Sequence, residues 1–289
     1  MKTLLKLIGF AALVAGLAFL YRETLGIDPA QRDQVAGLLR ELKHIDAEWD
    51  VHVLRSKTGL NKNYDALTRP QVEALQILDS AKGRFSSLDY RLGEAEGQLK
   101  DMLLAKINLV DRFKAQNAIL RNSLRYIPLA TEELKSRARE AGEANPAKRA
   151  EMSALVQAAD LVLIDTLKLE TARDAELNAN LRRRVGALVD RRNEYPAAAG
   201  ASFDTFLNHV STISAQKERE DEVLEELGKL PVATRIDTLE RDFMSAFDRA
   251  IAKREMYRMM SYIYGGLLLA LLAFLLGRGS RPRLEPAAA

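Results

Sequence analysis

The sequence predicts an all-α protein: two tandem antiparallel helical bundles flanked by two transmembrane helices. Three observations predict it. Apolar residues recur three and four apart through most of the chain, which is the signature of amphipathic helices. An uncharged apolar segment stands near each end. No run alternates apolar and polar residues between turn signals, so no strand is expected.

The first apolar segment runs from Leu7 to Tyr21, behind Lys2 and Lys6. About 15 residues make a helix of roughly 22 Å, and Leu4, Leu5 and a snorkelling Lys6 extend it enough to cross a bilayer. Two readings share this pattern, an uncleaved anchor (transmembrane helix 1, residues 1–22) and a cleaved signal peptide. No convincing small-x-small cleavage site is found, since Phe19, Leu20, Tyr21 and Arg22 follow the apolar run, and this favours the anchor. The second segment, residues 259–277, is transmembrane helix 2, with Leu267 to Leu272 at its centre and Tyr262 and Tyr264 at its edge. Arg278, Arg281 and Arg283 follow it in a short tail, residues 278–289. With Lys2 and Lys6 they place both termini in the cytoplasm, despite Arg254 and Arg258 on the other flank. The middle, about 240 residues, is then extracytoplasmic. Ala12 and Gly16 on one span and Gly265-Gly266 on the other are small enough to let the spans approach.

In the middle segment Val35, Leu38, Leu42, Ile45 and Trp49 form one stripe. Leu103, Val110, Phe113, Leu120, Leu124 and Ile127 form a second, and Ile236, Leu239, Phe243, Phe247 and Ile251 a third. Thr68-Arg69-Pro70-Gln71 reads as a capping box, Asn145-Pro146 as a cap and first helical position, and Gly228 with Pro231 as an end and a start. Pro128 and Pro196 mark further breaks. The expected helices are 30–62, 69–92, 94–127, 131–142, 146–194, 201–227 and 231–277, the last running unbroken into the second span. A single four-helix bundle would need helices of about 55 residues, which the breaks disfavour. Two bundles are expected instead, 28–145 (the first, membrane-distal one) and 146–258.

Composition narrows function by exclusion. The net charge is only +3, from 43 basic and 40 acidic residues mixed along the chain, so no nucleic-acid surface is expected. Zero cysteines and three histidines (His44, His52, His209) remove thiol chemistry and leave little for metal binding, so no cofactor is expected. No Gly-rich phosphate loop, His-Glu-x-x-His helix or Gly-x-Ser-x-Gly elbow is present, so no enzyme is expected.

Two stretches stand out. One runs from Asp50 through Arg55 to Asn63-Tyr64-Asp65, a helix that stops at a short loop. The other runs from Phe113 to Pro128, where Asn117 falls on the apolar stripe and Lys114, Asn117, Arg121 and Arg125 form a polar edge, with Asn122 beside it. A buried amide at 117 needs partners, since leaving it unpaired costs about 1–3 kcal/mol. Clustered cationic and amide donors suit an anionic ligand. The candidate ligand-binding residues are therefore Arg55, Tyr64, Asp65, Lys114, Asn117, Arg121, Asn122 and Arg125. The rival reading of Arg55, Tyr64 and Asp65 is a capped turn with an Arg–Asp ion pair. His52 and His209 read as ordinary helix residues, Trp49 as core, and Glu218 to Glu226 as a solvated face.

Together these stretches resemble the DAHL domain, a double all-helical ligand-binding module at the sensing end of bacterial histidine kinases. Leu54-Arg55 with Asn63-Tyr64-Asp65 carries part of the resemblance. Phe113-Lys114, Asn117-Ala118, Leu120 to Tyr126 and Pro128 carry the rest. Residue 66 is Ala where the family has proline. The resemblance implies a periplasmic sensor in a bacterial inner membrane, signalling through its second span within a two-component system. Its partners would be the bilayer, a small ligand or a periplasmic binding protein, and a histidine kinase or other output protein in trans; a homodimer suits the architecture. The sequence ends at Ala289 without a phospho-accepting helix or an ATP-binding domain. It is therefore expected to be either a stand-alone sensor subunit or a piece of a longer kinase. The competing function is a structural spacer or assembly subunit that binds another protein and no small ligand.

Overall fold

The computed structural model describes residues 2–24, 28, 30–61, 63–172 and 175–279. Among them there is no strand; the order is α1 (Lys2–Thr24), α2 (Ala30–Lys57), α3 (Asp65–Ala81), α4 (Tyr90–Ala144), α5 (Arg149–Thr171), α6 (Ala175–Asp190), α7 (Ala197–Lys229) and α8 (Val232–Gly279). The side chains of Lys2, Lys6 and Arg278, and the tail residues Arg281, Pro282, Arg283 and Pro286, lie outside the described set. Two compact units emerge, one of Met1–Lys43, Ile77–Gln98 and Thr234–Ala289, the other of His44–Gln76 and Leu99–Ala233.

In the first unit α2 and α8 pack their stripes together with the α3–α4 connection. Val35, Leu39, Leu42, Phe85, Phe243 and Phe247 are buried there, and Phe85 meets Phe243 edge to face at 5.6 Å. Lys43 pairs with Asp237 at 2.6 Å. Arg254 Nε donates to the Thr24 carbonyl at 2.9 Å, tying the end of α1 to α8. At Gly16 an added Cβ would lie 3.1 Å from Tyr264 Oη, so α1 approaches α8 where its glycine faces a tyrosine ring; Gly265 and Gly266, expected to share in the approach, have nothing within 4 Å of an added Cβ. Helix α8 is unbroken for 48 residues, as the lack of any breaker after Pro231 predicts. Among the described residues one helical stretch, Ala199–Phe274, holds a segment long and apolar enough to cross a membrane, and none of that segment is buried. Leu267, Leu269 and Phe274 are more than half exposed, which water disfavours and lipid does not.

The second unit holds two apolar clusters. Trp49, Val53, Leu67, Val110, Phe113 and Val223 form one, from α2, α3, α4 and α7. The other joins Leu120, Ile127 and Leu134 of α4 to Leu155 and Val162 of α5, Leu181 and Leu188 of α6, and Phe203, Phe206 and Ile213 of α7. Glu133 meets Ser202, Asn117 meets Glu220 and Arg112 meets Glu226, in opposite order along the two helices, so α4 and α7 are antiparallel. Trp49 is fully buried, as a core residue should be.

Several helix limits differ from expectation. Helix α4 does not break at Pro128 and reaches 55 residues. Pro128 stands on the exposed face, where water can satisfy the carbonyl that its missing N–H leaves free. The Thr131 hydroxyl adds a bond to the Ile127 carbonyl at 2.7 Å. Helix α3 starts at Asp65, so Thr68 and Pro70 lie inside it and form no capping box; the Asn63 side chain accepts from the Asp65 N–H at 3.3 Å instead. The span 69–92 is not one helix: α3 ends at Ala81, Gly83 takes φ +80°, and Asp89 caps α4 by accepting from the Arg91 N–H. Gly93 breaks nothing; it is small because a Cβ there would lie 2.9 Å from the Ser86 side chain. The stretch 146–194 folds back at Ala172, whose φ −111° and ψ 133° are extended. No glycine or proline marks that turn. It lets Val162 and Leu169 pack with Leu181 and Leu188 in one core, a burial that a straight helix would forgo. Asn145 does cap, accepting from the Ala147 N–H at 3.2 Å, with Pro146 following.

Candidate functional site

The site forms where α2 stops. Its stripe ends at Val53 and Ser56, and Gly59 takes φ +74°, a left-handed turn that costs glycine nothing. The Leu60 N–H reaches back to the Arg55 carbonyl at 2.8 Å and the Gly59 N–H to that of Ser56 at 3.1 Å, the double closure of a glycine-terminated helix. Asn61 Nδ2 stitches the loop to the His52 carbonyl at 3.1 Å and to Ser56 Oγ at 2.9 Å. Asn63 binds Asp65 at 2.7 Å and starts α3.

Against this turn α4 sets its polar edge. Asn117 is 1% exposed, and both ends of its amide are occupied. Tyr64 Oη donates to Asn117 Oδ1 at 2.6 Å, and Asn117 Nδ2 donates to Glu220 Oε1 at 2.6 Å. The amide on the apolar stripe thus has the partners that burial demands. Arg121 Nη1 donates to the carbonyls of Ser56 and Lys57, each at 3.3 Å, so a cation caps the negative end of α2. A Cβ at Gly59 would collide with that guanidinium.

Glu220 is 2% exposed, and this burial pushes its carboxyl above the ordinary range. The Asn117 bond and the Lys217 and Lys57 cations offset only part of that rise, and Asp221 adds to it. Lys217 is buried beside it, 2.8 Å from Asp221 and 3.8 Å from Glu220. Burial likewise raises the Tyr64 hydroxyl; Arg121 opposes the rise and Glu220 adds to it. Tyr64 therefore stays protonated and keeps its proton on Asn117.

Between turn and helix lies a cavity of about 260 Å³, bordered among others by Asn61, Tyr64, Asn117, Arg121, Asn122 and Arg125. Five of the eight candidate residues therefore meet here. The other three do not border it. Lys114 turns aside to Asp111 at 2.6 Å. Asp65 faces Asn63. The Arg55 side chain is exposed and contributes only its carbonyl. Arg55 and Asp65 form no ion pair among the described residues.

Sequence reasoning missed Ser56, Asn61 and Asn63, whose roles depend on how the turn closes. It also misread Glu220. The run from Glu218 to Glu226 is not wholly solvated, because Glu220 lies on the inward face of α7. The signal was present in spacing: Ile213, Lys217, Glu220, Val223 and Leu227 recur three and four apart. His52 is half-buried, and its Nδ1 has no hydrogen-bond partner among the described residues. His209 stacks on Tyr126 at 6.2 Å. No cluster of three or more metal-ligating residues occurs among the described residues.

A family model, the DAHL domain, matches residues 27–258. No curated protein and no solved structure matches the chain. The match covers most of the sequence, includes both stretches that build the cavity, and agrees with the all-helical fold. The chain belongs to the DAHL domain family of helical sensor domains.

Proposed function

We propose that this protein is a membrane-anchored periplasmic sensor. A small ligand, or a binding protein carrying one, docks at the α2–α3 turn, and the response leaves through α8 to a histidine kinase or other output protein in trans. The observation that carries the reading is the cavity itself: donors from a turn and a helix converge on it inside a chain of the sensor family. Two of its polar groups are already held in place. Asn117 is clamped by Tyr64 and Glu220, and Arg121 is clamped by the end of α2. Preorganised donors cost a ligand little to engage.

In this reading α1 and α8 both cross the bilayer, with both termini in the cytoplasm. The unburied apolar surface of α8 and its close approach to α1 at Gly16 support two packed spans. The unbroken α8 supports transmission, since a continuous helix can carry a shift or rotation along its length. A ligand moves such an equilibrium only by its difference in affinity for the two states. A homodimer fits the reading as well.

Two measurements test it. The chain has no cysteine, so single cysteines at Glu143 and Ala287 can be labelled in intact cells without background. The sensor reading requires the cysteine at position 143 to react from outside and the one at position 287 only after lysis; the reverse pattern ends it. The full chain in nanodiscs should also melt higher with a bound solute, because ligands stabilise the state they bind. A chain that no solute stabilises, and that responds to a protein partner equally with and without that partner's ligand, is a spacer.

A further inference from the structure

We propose that the cavity at the α2–α3 turn selects a small carboxylic acid that carries a neutral hydrogen-bond donor, a hydroxyl group, next to its carboxylate. This names the ligand class of the site described above and rests on the sensor reading.

Charge selects the carboxylate. Arg121 and Arg125 both border the cavity, four residues apart on one face of α4. Among the described residues no acidic side chain borders it. Asp65, the acid of the turn, is held by Asn63, and Glu220 is engaged by Asn117. Arg121 commits one nitrogen, Nη1, to the end of α2, and Arg125 and Asn122 have no partner among the described residues. Two guanidinium groups without a counter-charge favour an anion, and their planar forks match a carboxylate.

Hydrogen-bond direction selects the second group. The one proton of Tyr64 Oη is engaged by Asn117, so toward the cavity this oxygen can only accept. Asn61 donates both of its bonds inward, to His52 and Ser56, which leaves its carbonyl oxygen as an acceptor. A ligand that fills the cavity must present a donor to them, or bury acceptors without partners. An ammonium group is the wrong donor, since it would sit beside two arginines with no carboxylate to balance it. A hydroxyl group meets the acceptors without that repulsion. The volume of about 260 Å³ equals roughly nine waters and admits an acid of a few carbons.

The test titrates lactate, propionate and alanine into the full chain in nanodiscs by calorimetry, with acetamide and glycerol as neutral probes and choline as a cationic one. Lactate should bind about tenfold tighter than propionate, the value of one well-placed neutral hydrogen bond, and alanine should bind weakest. Arg125→Gln should weaken lactate and propionate by the same factor. Tyr64→Phe should bring the two acids together by weakening lactate more than propionate, a change in selectivity that a merely destabilised fold would not give. Propionate or alanine binding as tightly as lactate overturns the proposal. So does a response to a neutral or cationic probe and to no acid, although sensing then survives. A chain silent to all six probes overturns the proposal, and the melting test above then decides whether sensing survives.

Discussion

The Arg121 guanidinium lies across Gly59, closing the end of α2 from a different helix. Both halves of the contact are needed, because the turn requires a left-handed residue and the arginine requires the space that a side chain would fill. Gly59→Ala should therefore cost about 1–2 kcal/mol from backbone conformation alone, and more from displacing Arg121. Chemical unfolding of the full chain in detergent measures the loss, and amide exchange at Thr58 to Asn61 should quicken. An unchanged exchange rate there would show that Arg121 does not hold the turn.

Asn117→Ala removes the middle of a three-residue chain. The Tyr64 hydroxyl and the Glu220 carboxyl both lose their partner at one stroke. The expected cost is about 1–3 kcal/mol. Adding Tyr64→Phe should cost less than the separate losses summed, because the two side chains act through one bond. Strict additivity in the double variant would contradict the linkage.

Lys106 is a buried charge of the second unit. Its ammonium sits 2.6 Å from both Asp46 and Asp50, with side chains 3% exposed at Lys106, 6% at Asp46 and 58% at Asp50. It also lies 5.3 Å from the ring centroid of Trp49. Lys106→Met should destabilise the chain by about 3–5 kcal/mol, since it strands the Asp46 carboxylate. Burial already pushes Asp46 above its ordinary range against the pull of Lys106. Adding Asp46→Leu should recover much of the loss. If the double variant is no more stable than Lys106→Met, a stranded charge is not the cause.

Acid should favour the fold through Glu220. Its carboxyl binds a proton more readily when folded than when unfolded, where 4.5 is the ordinary value. The stability it contributes is therefore fully present below that ordinary value and is lost as pH rises through the higher folded one. Glu220→Gln keeps an acceptor for Asn117, and Lys217 keeps Asp221. The variant should accordingly be the more stable chain at neutral pH, with its advantage shrinking as pH falls toward 4.5. Melting curves of both chains from that acidic end to neutral pH check the sign; an advantage that grows on acidification contradicts it.

Helical class was determined by the sequence alone, because spacing suffices to specify which face of a helix is apolar. Val35, Leu42 and Trp49, or Phe113, Leu120 and Ile127, are buried as their stripes require. Asn117 announced its own need for partners by interrupting such a stripe. Which helices face one another was decided only in three dimensions. The turn at Ala172 has no local signal, since it arises from α5 and α6 burying one apolar surface together. Pro128 looked like a break and is not, because an exposed face can tolerate a missing N–H. The cavity likewise depends on groups far apart in sequence. Tyr64, Asn117, Arg121 and Glu220 become one network only when α4 lies between the α2–α3 turn and α7. Periodicity describes one helix at a time, and a hydrogen bond between helices is set by register, which a single chain of letters does not contain.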